Sequence, residues 1–159
     1  MSKALENLDL NASGLWFAIL ISFLLLLIAA FIPKKYISWR EIYLTFGIVG
    51  LATWICDALI ARVFDLIDLG DEKMAGLGEI LSYTFIPTSL AVIYINYYTK
   101  KNRWILSIIF TFISILIDLG MQYFGYMQYN GWNLFFSILF IFIAFAFLIP
   151  LHIRIIRDK

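Results

Sequence analysis

Apolar residues along this chain gather in long blocks separated by short polar punctuation, rather than in the one-sided stripes of a half-buried soluble helix. Five blocks stand out, at about 15–32, 42–64, 78–98, 104–124 and 134–151. Each is roughly 18 to 23 residues long, the length an α-helix needs to cross about 30 Å of hydrocarbon. Backbone amides find no water inside lipid, so a block of this kind spans as a helix, and the alternating ten-residue pattern of a membrane β-barrel is absent. The pattern predicts an all-α integral membrane helical bundle of about five transmembrane helices. It forms a single domain over 1–159, because no loop between blocks is long enough to hold its own core.

The punctuation orients the bundle. Pro33 closes the first block and is followed by Lys34, Lys35, Tyr36, Trp39 and Arg40. After the second block comes an acidic segment with Asp65, Asp68, Asp71 and Glu72, in which Gly70, Gly76 and Gly78 break regular structure. Lys100, Lys101 and Arg103 precede the fourth block, and an uncharged turn with Tyr126, Tyr129 and Trp132 precedes the fifth. The fifth block is expected to end near Pro150, leaving a tail with His152, Arg154, Arg157 and Lys159. Counted on alternate sides, nine of the 12 basic residues fall on one face, and only Lys3, Arg62 and Lys73 on the other. The positive-inside rule then places the N-terminus outside and the C-terminus in the cytoplasm. Tyr36, Trp39, Tyr43, Tyr97, Tyr98 and Trp104 mark one membrane interface, and Tyr123, Tyr126, Tyr129 and Trp132 the other. Lys3 stands against Glu6 and Asp9, the wrong balance for a signal peptide, so the first block reads as a retained anchor.

Composition narrows the chemistry. Hydrophobic residues make up 63% of the chain and charged ones 14%, with a mean hydropathy of +0.90, whereas a soluble domain carries roughly 25% charged residues. A net charge of +1 argues against a nucleic-acid partner. The lone Cys56 excludes an internal disulfide, and the lone His152, read as an interface anchor, excludes paired-histidine haem ligation and zinc-hydrolase motifs. The acids at Asp65, Asp68, Asp71 and Glu72 lack the alternate spacing of an EF-hand loop and read as a solvated outer loop. No cofactor or metal is expected, and the partners implied are the lipid bilayer and another membrane protein or a second copy.

Three acids lie within or at the edge of apolar blocks: Asp57, Glu79 and Asp118. A charge at the bilayer centre costs about 2.5 to 3.5 kcal/mol on insertion scales, so such residues face protein or water. On the fourth helix Ser107, Thr111, Ser114, Asp118 and Gln122 recur at three- and four-residue intervals and share a face. Gly50, Thr53 and Asp57 do the same on the second, and Asn133 and Ser137 lie one turn apart on the fifth. These stripes make a candidate ligand-binding set of Asp57, Glu79, Asp118, Gln122, Ser114 and Asn133, lining one outward-opening polar pocket. The structural alternative is that the same groups hydrogen-bond between helices and hold the bundle together at about 0.6 to 2 kcal/mol each. Arg62, five residues beyond Asp57, is expected to reach outward to Asp65, and Pro87 to kink the third helix or free a carbonyl. Two intramembrane aspartates also invite comparison with aspartyl intramembrane proteases. Their settings here, Ile-Cys-Asp-Ala and Ile-Asp-Leu-Gly, lack the glycine-aspartate signature of those enzymes.

Pro33-Lys34 closing the first block, Glu79 eight residues before Pro87, Asn96-Tyr97-Tyr98 ending the third block, and Asp118 followed by Tyr126 and the Trp132 turn carry a resemblance. The chain resembles, over most of its length, a family of small multipass membrane proteins of Gram-positive spore-forming bacteria that has no established activity. The resemblance implies a helical bundle in a bacterial cytoplasmic membrane and supplies no reaction or substrate. Members often carry Glu where this chain has Asp118. With no catalytic motif present, the first expectation is a non-enzymatic interaction or accessory membrane protein. The alternative is a carrier or sensor that binds a cation, proton or small cationic ligand.

Overall fold

A computed structural model of the protein describes residues 8–70 and 76–157. The expectations attached to Lys3, Glu6, Asp71, Glu72, Lys73 and Lys159 lie outside the described residues. Among the described residues five helices follow one another: α1 (Leu15–Phe31), α2 (Trp39–Val63), α3 (Leu77–Tyr97), α4 (Arg103–Tyr123) and α5 (Leu134–Arg157). The last four are each long and apolar enough to cross a membrane, while apolar α1 has 17 residues and extends over about 25 Å at 1.5 Å per residue. The fold is the expected all-α helical bundle.

Local chemistry moves two boundaries. Ser38 caps α2 with a reciprocal pair, its hydroxyl accepting from the Glu41 amide at 3.3 Å while Glu41 Oε2 accepts from the Ser38 amide at 2.6 Å. Such a cap contributes about 1 kcal/mol. It starts α2 at Trp39, so Trp39 and Arg40 belong to the helix and not to the connector. At the other end of the chain, α5 does not stop near Pro150 but runs through it to Arg157. Pro150 has no N–H for the carbonyl four residues back, that of Ala146. Arg103 supplies the missing donors, its Nε at 2.8 Å and its Nη2 both directed at Ala146 O, with the guanidinium 4.9 Å from the Trp104 ring centroid. The backbone around this point is π-helical over Ala144–Leu148.

Helix α3 is the centre of the bundle, packed between α1 and α2, and Pro87 sits inside it without ending it. Its Tyr94 is wholly buried against Phe110 of α4 and Phe145 of α5, with ring centroids 5.4 and 5.3 Å away. Asn96, also buried, clamps the turn that closes α1: its Oδ1 accepts from the Lys35 and Tyr36 amides at 2.7 and 3.2 Å, and its Nδ2 donates to Pro33 O at 2.9 Å.

The two ends of the bundle differ in charge. At the basic end, Arg157 donates to Glu41 at 2.5 Å and to Tyr36 O, and His152 is not a surface anchor but buried, 3.0 Å from the Thr45 hydroxyl. At the acidic end the connections expected to be plain loops pair as a small antiparallel ribbon, β1 (Ile67–Leu69) with β2 (Met127–Tyr129), in the register Ile67 to Tyr129. Leu66 O accepts from the Asn130 and Trp132 amides and Gly70 N donates to Tyr126 O at 2.9 Å, so the ribbon is tied at both ends. Tyr126, expected at the interface, is 2% exposed beneath it. It sits so close to Gly78 that a Cβ there would meet the Tyr126 ring and come within 2.5 Å of Leu15.

Candidate functional site

Sequence reasoning separates Asp57 and Arg62 around the helix, because five residues are a poor match to 3.6 per turn. Past Asp57, however, α2 is π-helical over Ala58–Val63, with Phe64 N donating to Leu59 O at 2.9 Å. A π-turn closes its hydrogen bond over five residues instead of four and so winds more slowly, which brings Arg62 nearer to the face of Asp57. Arg62 therefore turns inward, and its Nη2 donates to Glu79 Oε1 of α3 at 2.6 Å instead of reaching Asp65. Glu79 is buried in this pair while Arg62 keeps 43% of its side chain exposed.

Asp57 itself is 5% exposed. The Tyr83 side chain of α3 stands beside its carboxyl group, and Oδ1 is buried with no hydrogen-bond partner. The Ser82 hydroxyl, also buried, is likewise without one. A buried polar atom left in this state costs about 1 to 3 kcal/mol. Tyr83 and Ser82 escaped the sequence reading, although they stand four and three residues after Glu79 and so share its face.

Asp118 is held differently. Ser137 of α5 and Tyr129 of β2 stand beside its carboxyl group. Ser137 Oγ lies 2.8 Å from the Tyr129 hydroxyl and accepts from Trp132 Nε1 at 2.9 Å. Burial, ahead of the neighbouring Asp118 charge, pushes the Tyr129 phenol above its ordinary value and keeps it a donor. Gln122 Nε2 is buried without a hydrogen-bond partner. Asn133 is the N-cap of α5, accepting from the Phe136 amide at 3.1 Å, and has no place in the cavities.

Two cavities meet at Asp57 and Tyr83. The outer one, 170 Å³, is a polar vestibule under the ribbon, lined by Arg62, Asp65, Asp68 and Glu79 besides the shared pair. The inner one, 390 Å³, is a mostly apolar groove between α2 and α5 floored by α3 and α4, with Ser82, Ser114, Asp118 and Ser137 near its acidic end and His152 at the other. Of the six candidate residues, Asp57, Ser114 and Asp118 line the groove and Glu79 the vestibule, while Gln122 and Asn133 line neither. Of the stripe on α4, Ser107 is taken up elsewhere, bonding Tyr94 at 3.1 Å and Arg103 O at 2.8 Å. Among the described residues no group of three His, Cys, Asp or Glu side chains is placed to hold a metal ion. Comparison with protein-family models, with curated proteins and with solved structures returns no match. The fold and the site define a membrane-type helical bundle with an acid-headed groove.

Proposed function

We propose that this protein is a non-enzymatic ligand-binding protein of the bacterial cytoplasmic membrane, a carrier or sensor that takes a small organic cation at Asp57. The observation that carries the reading is the buried Asp57 Oδ1, which has no hydrogen-bond partner, on a residue that lines both the vestibule and the groove. A primary ammonium brings three donors and a positive charge, the complement of that oxygen, the Ser82 hydroxyl and the Tyr83 ring. The surroundings favour the sign: the two cavities hold five acids and one guanidinium, Arg62, which Glu79 already engages. The basic residues gathered at the far end favour a cytoplasmic position for that end, with the vestibule opening outward. An accessory-subunit role, in which all three acids only join helices, accounts for Asp118 and Glu79 and leaves the Asp57 Oδ1 without a partner.

The test is calorimetric titration of butylammonium into the protein in nanodiscs of neutral lipid. Wild type is expected to bind saturably, and Asp57→Asn to lose about tenfold to a hundredfold in affinity, the loss of one charge-assisted hydrogen bond, at unchanged membrane abundance. Absence of saturable binding by wild type, or equal binding by Asp57→Asn, refutes the reading.

A further inference from the structure

The groove is larger and far more apolar than a small cation needs. It is closed at the basic end, where Thr45 meets His152 and Glu41 meets Arg157, and at the acidic end, where the ribbon lies over the vestibule. Between these closures α2 and α5 stand apart, and the residues on the groove's rim are open to the outside: Ile48 is 48% exposed, Phe140 42% and Leu148 54%. These positions lie within helices long enough to cross a membrane, so the opening faces hydrocarbon. From Asp57 down α2 to Ile48, the groove runs about 13 Å at 1.5 Å per residue.

Resting on the reading of Asp57 as a cation site, we propose that the ligand is an amphiphilic amine that enters sideways from the bilayer between α2 and α5. Its ammonium is held by Asp57 Oδ1 and Ser82, and its apolar tail lies in the groove toward His152. Charge complementarity selects this occupant: a phosphate-bearing lipid would set its anion against Asp57 and Asp118, and a small hydrophilic cation would leave the apolar walls bare. Because lipid tails and the groove are equally apolar, the tail adds little hydrophobic driving force of its own. The head therefore decides affinity and the tail decides position.

The experiment uses dodecylammonium carrying a photoreactive diazirine at the tail end, in nanodiscs of neutral lipid, with labelled residues mapped by mass spectrometry. Labelling is expected on the lower groove wall, at Leu148, Ile149 and His152, competed by butylammonium, and displaced from those residues in Ala52→Phe, which fills the wall. If Ala52→Phe does not accumulate, Ala144→Phe on the facing wall serves the same purpose. Butylammonium binding itself is expected to survive either substitution. Labelling spread equally over the lipid-facing Phe112 and Leu116 overturns the proposal while leaving the Asp57 reading intact, provided butylammonium still binds. If butylammonium neither binds nor competes, the Asp57 reading falls with it. A groove covered by a second copy, seen as Cys56 to Cys56 crosslinking between copies and an unlabelled wall, also overturns the proposal.

Discussion

Arg62 and Glu79, 17 residues apart in the chain, are joined at 2.6 Å because a π-helical turn carries Arg62 nearer to the face that bears Asp57. Their pairing removes Glu79 from the list of free carboxylates and leaves Asp57 beside it with an oxygen unclaimed.

Removing Arg62 strands a buried carboxylate. Breaking a fully buried pair costs about 3 to 5 kcal/mol, and the exposure of Arg62 reduces this to about 1 to 2. Thermal unfolding of Arg62→Ala in nanodiscs is expected to fall accordingly, and the double variant Arg62→Ala with Glu79→Gln to recover part of the loss. No recovery would mean that the pair is not what stabilises this end.

Asp118 stands beside Ser137 and Tyr129 and joins α4 to α5 and the ribbon. Asp118→Leu is expected to lower stability by about 0.6 to 2 kcal/mol, whereas Asp118→Asn, which keeps an acceptor, costs less and retains butylammonium binding. Loss of binding on Asp118→Asn at full abundance would move the cation site from Asp57 to Asp118.

Arg103 stands in for the donor that Pro150 lacks. Arg103→Ala leaves the Ala146 carbonyl unsatisfied, at a cost of about 1 to 3 kcal/mol. Adding Pro150→Ala restores a backbone N–H at that place, so the double variant is expected to be more stable than Arg103→Ala alone. Equal melting of the two would show that Arg103 acts through its ring contacts instead.

Burial pushes the Tyr126 phenol well above its ordinary value of 10.0, with the Glu79 and Asp9 charges adding to the effect. A raised phenol stabilises the fold fully below the unfolded value and loses that contribution as pH climbs through it. Stability of wild type is therefore expected to decline above about pH 10, and Tyr126→Phe to show a shallower decline in pH-dependent melting. Parallel declines would contradict the assignment.

The helices and the charge asymmetry were legible because hydrocarbon thickness fixes the length of an apolar block and water fixes where Lys and Arg lie. Asp57, Ser114 and Asp118 were legible as wall residues for a related reason, since an acid in an apolar helix has nowhere to go but inward. What escaped depends on departures from α-helical period or on pairing across the chain. Helical spacing of 3.6 puts Arg62 on the wrong side. Nothing local announces that three residues after Leu66 pair with three after Tyr126, or that His152 and Thr45 meet across 107 positions. Asn133 illustrates the converse: as a polar residue at a helix start it reads as a pocket lining, yet the backbone amide of Phe136 claims it.

Asp57 is proposed as the group that meets the ligand, and difference infrared spectroscopy of the carboxyl stretch, with and without butylammonium in neutral nanodiscs, tests this most directly. A ligand-induced carboxyl band that disappears in Asp57→Asn and persists in Asp118→Asn and Glu79→Gln is the expected result. A band unchanged in Asp57→Asn, or one that vanishes only with Asp118 or Glu79, would contradict it.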